Sequence, residues 1–442
     1  MKRESPHNPR KRRGAVLLGT VGLLSVGVLS TTDSRGLGWW SRDAHAHAPP
    51  SAVSSTPAMR LADDTPALRL PDPTAALQGS PEARLIAIYR LVGQRRLHDA
   101  LAANTALVQQ YPNFRLALLL QADLLAAHAA PLQGWGGGVM GSGDVTPLRA
   151  EALQRLAALR ARPPAGAVPA EFVQLPPTQP YAIAVDASRS RLYLFENSED
   201  GLKLIDDFYV SVGKQGVDKL AEGDQKTPLG LYFVTGQIEP HRLEDRFGAG
   251  ALPLNYPNAY DRTRGRTGKG ILLHGVPSAT YSRPPQDSDG CVVLANDDLL
   301  GLSSRLPQRD TPVLISRKID WRTPEAARAA ARPDFLQTFE RWRAARLAAD
   351  GDTMASFYPS ATAADADINL TRSRQRATSA PAPAAIDETS LISFRDDREL
   401  MVVTFREQAG NIGNSQQVDH VMRQYWSREG NDWRIVAEGQ VH

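Results

Sequence analysis

The residues of this sequence best suited to covalent chemistry are its single cysteine, Cys291, and a histidine, His274, seventeen positions before it. A thiol attacks a carbonyl as its thiolate, and a free thiol with a pKa of about 8.5 is mostly protonated at neutral pH. A histidine beside the thiol supplies the base that activates it. The pair therefore indicates nucleophilic attack on a carbonyl, with His274 as the base and later as the acid toward the leaving group.

The segments around this pair are suited to holding it in place. The apolar run from Gly270 to His274 predicts a short strand that presents the histidine at its end. Gly290 permits a tight turn before Cys291, so that the backbone N–H groups of both residues can point at a developing oxyanion. Taken singly, a lone cysteine and a lone histidine at a strand end are also common as buried structural residues.

The longer string around the pair is more specific. His274-Gly275, a loop rich in proline and polar residues, and then Ser288-Asp-Gly-Cys-Val resembles the signature of the YkuD-type L,D-transpeptidases. That signature is His-Gly, a loop, and Ser/Thr-x-Gly-Cys followed by an apolar residue. The strings Lys-Thr-Pro-Leu-Gly-Leu-Tyr at 226–232 and Leu-Asn-Tyr-Pro-Asn at 254–258 are similar to the same family.

The resemblance implies a mainly-β catalytic sandwich over residues 176–318, with an acyl-enzyme formed on Cys291. It implies that the acyl group comes from diaminopimelate in a tetrapeptide stem of peptidoglycan (murein), and that D-alanine leaves. The acyl group then passes to an amine in a crosslink, to a lipoprotein, or to water. It also implies that the backbone carbonyl of Gly275 orients the imidazole. Asp289 stands where the family often has His or Arg, and two valines follow the cysteine, which leaves the acyl acceptor open.

Other residues near the motif have two open roles each. Ser288 either donates a hydrogen bond to the histidine or shapes the turn, and Asp289 is either a solvated loop charge or a contact to an amine of the substrate. Tyr256, Asn258 and Tyr260 either line the substrate groove or cover an edge of the core.

No metal or other cofactor is predicted. Cys291, His241 and His274 include no closely spaced pair, whereas a structural zinc site needs four ligands. The glycine-rich stretch at 134–143 lacks the Gly-Lys-Ser/Thr ending of a phosphate-binding loop.

The composition and length describe an exported protein of several domains. The 442 residues, 42% hydrophobic and 22% charged, allow two or three cores. The net charge of the chain is +3. Residues 1–13 hold six Lys or Arg and one Glu, so this segment alone is more positive than the whole chain. The remainder is slightly acidic, so there is no electrostatic case for a nucleic-acid partner.

The N-terminal segment predicts export to the periplasm or cell envelope. Its basic start and the apolar run at 14–29 indicate a signal peptide or membrane anchor within residues 1–35, with cleavage left open. Residues 36–80, rich in Pro, Ala and Ser, predict a flexible linker. A single cysteine in an oxidising compartment cannot form an internal disulfide, so its thiol is available for reaction.

Helical periodicity predicts a tetratricopeptide-like region at 81–162, which acts as a docking surface for a protein partner or as a spacer. A proline-rich linker at 162–177 is predicted to mark the boundary of the catalytic domain. At 330–442 a helix precedes four strands, a pattern that resembles the NTF2-like or SnoaL-like α+β cone. We expect an accessory binding or dimerising module there.

The sequence thus predicts a multidomain protein, with a mainly-β catalytic sandwich between a helical region and an α+β cone. The predicted activity is that of a peptidoglycan L,D-transpeptidase. One alternative is an L,D-carboxypeptidase or amidase that hydrolyses murein stems or murein–lipoprotein bonds. A second alternative, a non-catalytic scaffold that binds the cell wall, is disfavoured by the intact His-Gly and Ser-x-Gly-Cys strings.

Overall fold

The computed structural model of the protein describes residues 78–129, 136, 144–329, 333–359, 368–408 and 418–441. The predicted signal peptide or anchor at 1–35 and most of the predicted linker at 36–80 lie outside these residues. Among the residues described, the helices are too short or too polar to cross a membrane.

In the described part of the chain, four helices precede the sheets. They are α1 (Pro81–Gly93), α2 (Leu97–Gln110), α3 (Arg115–Ala129) and α4 (Thr146–Arg160). The side chain of Ser80 caps α1 by accepting a hydrogen bond from the Ala83 N–H, and proline follows at the first helical position. The apolar faces bury Leu85 and Phe114 together with Tyr281 from the sheet region. The helices are present as predicted, and their core includes residues of the neighbouring sheet region. The tetratricopeptide-like resemblance stays a prediction.

The central region consists of short strands with two short helices between them. The strands are β1 (Val168–Pro169), β2 (Phe172–Gln174), β3 (Tyr181–Asp186), β4 (Arg191–Ser198), β5 (Gly201–Tyr209), β6 (Val212–Gly213), β7 (Gly230–Phe233), β8 (Ala251–Pro253), β9 (Leu272–His274), β10 (Gln286–Ser288), β11 (Val292–Val293), β12 (Pro312–Ser316) and β13 (Trp321–Arg322). The helices are α5 (Ala259–Thr263), before β9, and α6 (Asn296–Ser303), after β11.

Two sheets form the predicted β-sandwich. A five-stranded sheet has the order β5-β4-β3-β12-β7, and a three-stranded sheet has the order β11-β9-β8. Strand β3 is apolar from Ala182 to Val185, because Ile183 and Val185 enter the core shared with the three-stranded sheet, whereas Ala182 and Ala184 enter a second core on the opposite face. Both faces of the five-stranded sheet are therefore covered.

The second core is shared with the C-terminal α+β region. Its elements are α7 (Pro324–Ala329), α8 (Pro333–Leu347), α9 (Gly351–Ala355), α10 (Ile368–Ser379), β14 (Ala385–Arg395), β15 (Glu399–Gln408), β16 (His420–Glu429) and β17 (Asp432–Gln440). The four long strands are antiparallel, as predicted, and their other face packs on α8 through Phe335, Phe339 and Trp342. The order of elements agrees with the prediction, and the NTF2-like resemblance stays a prediction.

The stretch predicted as a proline-rich linker is built into the sheets instead. β2 adds a fifth strand to the C-terminal sheet by pairing with β14, where Ile392 lies opposite Phe172. Phe172 and Val173 point to opposite faces of the sheet. Phe172 enters the second core, and Val173 enters the core beneath α8. The prolines flank this short apolar segment and do not interrupt it. The connection therefore ties the two sheet regions together.

Replacing Phe172 by alanine tests this connection. Phe172 is buried and lies edge-to-face with Phe195, with ring centroids 5.9 Å apart, so we expect a loss of about 3–5 kcal/mol in the free energy of unfolding. Urea unfolding followed by tryptophan fluorescence measures it. Leu153→Ala on the exposed face of α4 (68% exposed) is the control, expected to change by less than about 0.5 kcal/mol. Equal values for the two variants would show that β2 is not a structural tie.

Candidate active site

Two adjacent parallel strands bring the cysteine and the histidine to one cavity. β11 runs alongside β9, with Val292 opposite Leu273 and Val293 opposite His274. Cys291 is the residue just before β11, and His274 is the last residue of β9. Both line a cavity of about 270 Å³, so the structure joins the two residues that the sequence analysis paired.

A hydrogen bond to the neighbouring carbonyl orients the imidazole of His274. Its Nδ1 lies 2.7 Å from the carbonyl oxygen of Gly275, which can only accept, so Nδ1 carries the proton and Nε2 is the proton acceptor. Burial lowers the pKa of His274 to about 4; the Gly275 hydrogen bond opposes this shift, and the charges of Arg283 and Arg246 add to it. At neutral pH the ring is a neutral base.

The side chain of Asn296 holds the loop around this histidine. Its Oδ1 accepts from the N–H groups of Ala249 (2.9 Å) and Val276 (3.1 Å), and its Nδ2 donates to the Val276 carbonyl at 3.0 Å. A Cβ on Gly275 would lie 2.1 Å from that Oδ1, so only glycine fits between His274 and Val276. The sequence analysis did not identify this role of Asn296.

The ring of His274 is also packed from one side. Phe247 meets it edge-on, with ring centroids 5.1 Å apart and the planes at 74°. The Phe247 carbonyl accepts the Gly275 N–H at 3.0 Å, and the guanidinium of Arg246 lies 4.7 Å from the centre of the Phe247 ring. These contacts restrict rotation of the imidazole.

Ser288 shapes the turn that leads to Cys291. Its Oγ donates to the Cys291 carbonyl at 2.6 Å and accepts the Gly290 N–H at 3.1 Å. Gly290 has φ +126°, and a Cβ there would lie 2.8 Å from the Lys226 carbonyl, which explains the glycine. Of the two roles left open for Ser288, the turn is the one observed. Because Ser288 takes the Gly290 N–H, that group is not aimed at an oxyanion, contrary to the prediction, and the Cys291 N–H remains the proposed donor.

The sulfur of Cys291 is held as a neutral thiol. Its Sγ donates to the Gly270 carbonyl at 3.5 Å. Burial raises the pKa of Cys291 above its ordinary value; the Leu272 backbone N–H directed at the sulfur lowers the pKa, Asp289 raises it, and the cations of Arg283 and Lys219 lower it. A neutral thiol and a neutral imidazole therefore line the same cavity.

The predicted substrate contacts divide between two places. Asp289 lines the cavity, but its exposed carboxylate pairs with Lys214 at 3.1 Å and accepts from Gln225. Tyr256 and Asn258 do not line this cavity, contrary to the prediction of a substrate groove. Both are buried, and their polar atoms are used elsewhere in the fold.

Local hydrogen bonds explain the position of these loop residues. The Tyr256 hydroxyl donates to the Thr267 carbonyl at 3.0 Å. Asn258 caps α5 through the Asp261 N–H and donates to the Leu231 carbonyl at 3.1 Å. Tyr260 stacks on Tyr425 of the C-terminal sheet. They cover an edge of the core, which is the other role that the sequence left open.

Basic side chains that the sequence analysis did not single out also line the cavity. They are Lys219, Arg246, Lys269 and Arg283, set against the acidic Glu222 and Asp289. Lys219 is paired with Asp224 at 2.7 Å and Arg246 with Glu244 at 3.2 Å, which leaves Arg283 and Lys269 to act on a bound molecule. Their positive charge suits a ligand that carries carboxylates.

Alkylation of Cys291 by iodoacetamide tests the neutral thiol. Since its pKa is raised, we expect the alkylation rate to keep increasing with pH beyond the midpoint of a free cysteine in a short peptide. Intact-mass spectrometry follows the reaction, and the peptide is the matched control. His274 titrates near pH 4, below this range. A constant rate already reached at neutral pH would indicate a thiolate–imidazolium pair and contradict this description.

Replacing Asn296 by alanine tests the loop contacts. The change leaves two N–H groups and one carbonyl without their partner, and each group that stays buried costs about 1–3 kcal/mol. We expect a lower free energy of unfolding in urea. Asp297→Ala, at the exposed neighbour on α6, is the control and should change by less than about 0.5 kcal/mol. The role assigned to Asn296 fails if both variants unfold alike.

Comparisons with known proteins agree with this geometry. Residues 180–315 match the family model for the L,D-transpeptidase catalytic domain, YkuD. The Escherichia coli (strain K12) protein named "Putative L,D-transpeptidase YafK" is 30% identical over 123 residues, which are 27% of this chain and 48% of that protein. The chain therefore spans about half the length of the curated relatives it matches.

Two solved structures are similar over a larger share of the chain. Bd1075 from Bdellovibrio bacteriovorus aligns with a TM-score of 0.49 at 24% identity, over 62% of this chain and 98% of that one. The helical cell shape determining protein Pgp2 from Campylobacter jejuni aligns with a TM-score of 0.47 at 17% identity, over 65% and 99%. From the family match and the motif, residues 180–315 are a catalytic domain of the YkuD L,D-transpeptidase family.

Proposed function

We propose that this protein is a peptidoglycan L,D-transpeptidase in which Cys291 is the nucleophile and His274 is the general base and acid. One observation carries the proposal: a neutral imidazole, oriented by the Gly275 carbonyl, stands at the end of the strand next to Cys291. A base of this kind takes the proton from the thiol as the sulfur attacks. The family match supports a peptide carbonyl as the target.

The reaction has two balanced steps. Sγ bonds to the carbonyl carbon at the L-centre of diaminopimelate, the thiol proton passes to Nε2 of His274, and the carbon–nitrogen bond to D-alanine breaks as that proton moves to the leaving amine. An acceptor amine then attacks the thioester carbon, the carbon–sulfur bond breaks, and the amine proton passes through His274 to Sγ, which re-forms the thiol. The Cys291 N–H is the proposed oxyanion donor.

The charge of the cavity supports a peptidoglycan stem as substrate. Diaminopimelate and the terminal D-alanine both carry carboxylates, and the side chains of Arg246, Lys269 and Arg283 line the cavity beside Cys291. Cationic side chains there attract and orient such a peptide.

Hydrolysis by an L,D-carboxypeptidase is the second candidate. The cavity of about 270 Å³ has room for one short peptide end, which favours a small acceptor such as water. The valines after Cys291 are buried in the core and offer no side chain to an incoming amine. Both reactions pass through the same acyl-enzyme. They differ in the acceptor, which is an amine for the transpeptidase and water for the carboxypeptidase.

A place in the periplasm or cell envelope belongs to the same proposal. Its support is the basic and apolar N-terminal sequence and the substrate, which lies outside the cytoplasmic membrane. A murein-linked lipoprotein as acceptor, and a wall-binding or partner-binding role for the helical and C-terminal regions, are further parts of the proposal.

Mass spectrometry of a purified disaccharide tetrapeptide incubated with the full chain tests the reaction. A dimer joined between two diaminopimelate residues identifies the transpeptidase, and a tripeptide without dimer identifies the carboxypeptidase. Cys291→Ala should abolish either product. His274→Gln should lower the rate by about 10²–10⁴-fold, because general base catalysis is lost.

A matched control separates loss of catalysis from loss of fold. His241→Gln changes an exposed histidine outside the lining of the cavity and should leave the rate unchanged. The free energy of unfolding of all three variants is measured in urea. Unmodified tetrapeptide after incubation with folded wild-type protein would contradict both candidate reactions.

A further inference from the structure

The loop between His274 and Ser288 is held by the N-terminal helices. Tyr281 packs against Phe114 with ring centroids 4.2 Å apart, and its N–H donates to the Asn113 carbonyl at 3.2 Å. The Asn113 side chain returns a hydrogen bond to the Ser278 carbonyl at 3.0 Å. The first half of this catalytic loop therefore rests on the turn between α2 and α3.

A buried ionic cluster holds the second half of the loop. The hydroxyl of Ser282 donates to Glu151 at 2.7 Å, and Glu151 pairs with Arg155 at 2.9 Å, one turn further along α4. Glu151 and Arg155 have side chains only 1% and 2% exposed, and Arg155 also pairs with Glu82 at 3.1 Å. Because both charges are desolvated and paired, this anchor has little freedom to move.

The same cluster reaches the next residue of the loop, Arg283. The guanidinium of Arg155 lies 3.8 Å from the centre of the Tyr209 ring, and the Tyr209 hydroxyl donates to the Arg283 carbonyl at 3.0 Å. Ser282 and Arg283 are thus each connected to the buried ionic cluster, Ser282 through Glu151 and Arg283 through Tyr209. The side chain of Arg283 lines the Cys291 cavity, where its Nη1 donates to the Asp287 carbonyl at 3.1 Å.

We propose that Arg283 binds a carboxylate of the substrate, and that Ser282 and Glu151 are positioning residues that hold Arg283 for this task. The identity of that substrate rests on the proposed function. A guanidinium has five N–H donors in a planar fork that matches a carboxylate, more than the one contact to Asp287 uses. The helical region is, on this proposal, a structural part of the specificity site.

Two alkylating reagents that differ in charge test the proposal without peptidoglycan. Iodoacetate and iodoacetamide react with the same thiolate, so the ratio of their rates at Cys291 cancels any change in the pKa or exposure of the thiol. We expect Arg283→Gln to lower the iodoacetate-to-iodoacetamide ratio by about 10-fold, through loss of a charge-assisted contact. Ser282→Ala should lower it by about 3-fold, and Ser282→Thr, which keeps the hydroxyl, should restore it.

Asp207→Asn is the matched control. Asp207 pairs with Arg191 at 2.7 Å, and Arg191 joins the same cluster by pairing with Glu82 at 2.8 Å. Because Asp207 is paired with Arg191 and not with Ser282 or Arg283, the ratio should stay at the wild-type value. Free energies of unfolding in urea confirm that each variant is folded. A ratio unchanged in Arg283→Gln overturns the carboxylate contact, and a ratio unchanged in Ser282→Ala overturns the positioning role.

Kinetics with the tetrapeptide give a second test, which depends on the proposed function, whereas the alkylation ratios do not. With the tetrapeptide as substrate, Arg283→Gln and Ser282→Ala should both raise KM, with kcat within about two-fold of wild type, because a ground-state contact is lost. If wild-type protein leaves the tetrapeptide unmodified, the proposed function is wrong, and the reagent ratios still decide whether Arg283 and Ser282 form a carboxylate site.

Discussion

The hydrogen bond from His274 Nδ1 to the Gly275 carbonyl is the interaction on which the rest of the site depends. It assigns the proton to Nδ1 and leaves Nε2 as the base. The carbonyl can take this position only because residue 275 has no side chain, and because Asn296 holds the backbone on both sides of it. A buried backbone acceptor carries no full charge, so the imidazole stays neutral, with its pKa lowered to about 4 by burial.

The protonation state of Cys291 follows from the same burial. A thiolate would be stabilised by a cationic imidazole, but here the imidazole is neutral and the pKa of Cys291 is raised. In the proposed reaction, proton transfer from the thiol therefore accompanies attack on the substrate. The charge of Arg283 lowers the pKa of both groups, so it opposes the effect of burial at Cys291 and adds to that effect at His274. A bound carboxylate would offset that charge, which couples substrate binding to the electrostatics of the site.

The three regions of the described chain are joined by shared cores and by buried charges. The five-stranded sheet is covered on both faces, so the C-terminal strands are needed to keep Ala182, Ala184 and their neighbours out of water. The N-terminal helices are joined through Arg155 and Tyr281 to the loop that lines the active site. Each flanking region thus supports the β-sandwich.

The sequence by itself paired Cys291 with His274 and indicated the orienting glycine and the sandwich, because these depend on short strings whose residue types have few substitutes. It also indicated the helices and the four C-terminal strands, since their apolar periodicity is local. It could not assign Asn296, Ser282 or Arg283, whose partners lie 20 or more positions away for Asn296 and 131 away for Ser282. It misplaced Tyr256 and Asn258, because a polar loop residue looks the same whether it faces a cavity or caps a helix. Only the tertiary structure decides such contacts, because they arise when distant segments are packed together and each buried polar group must find a partner.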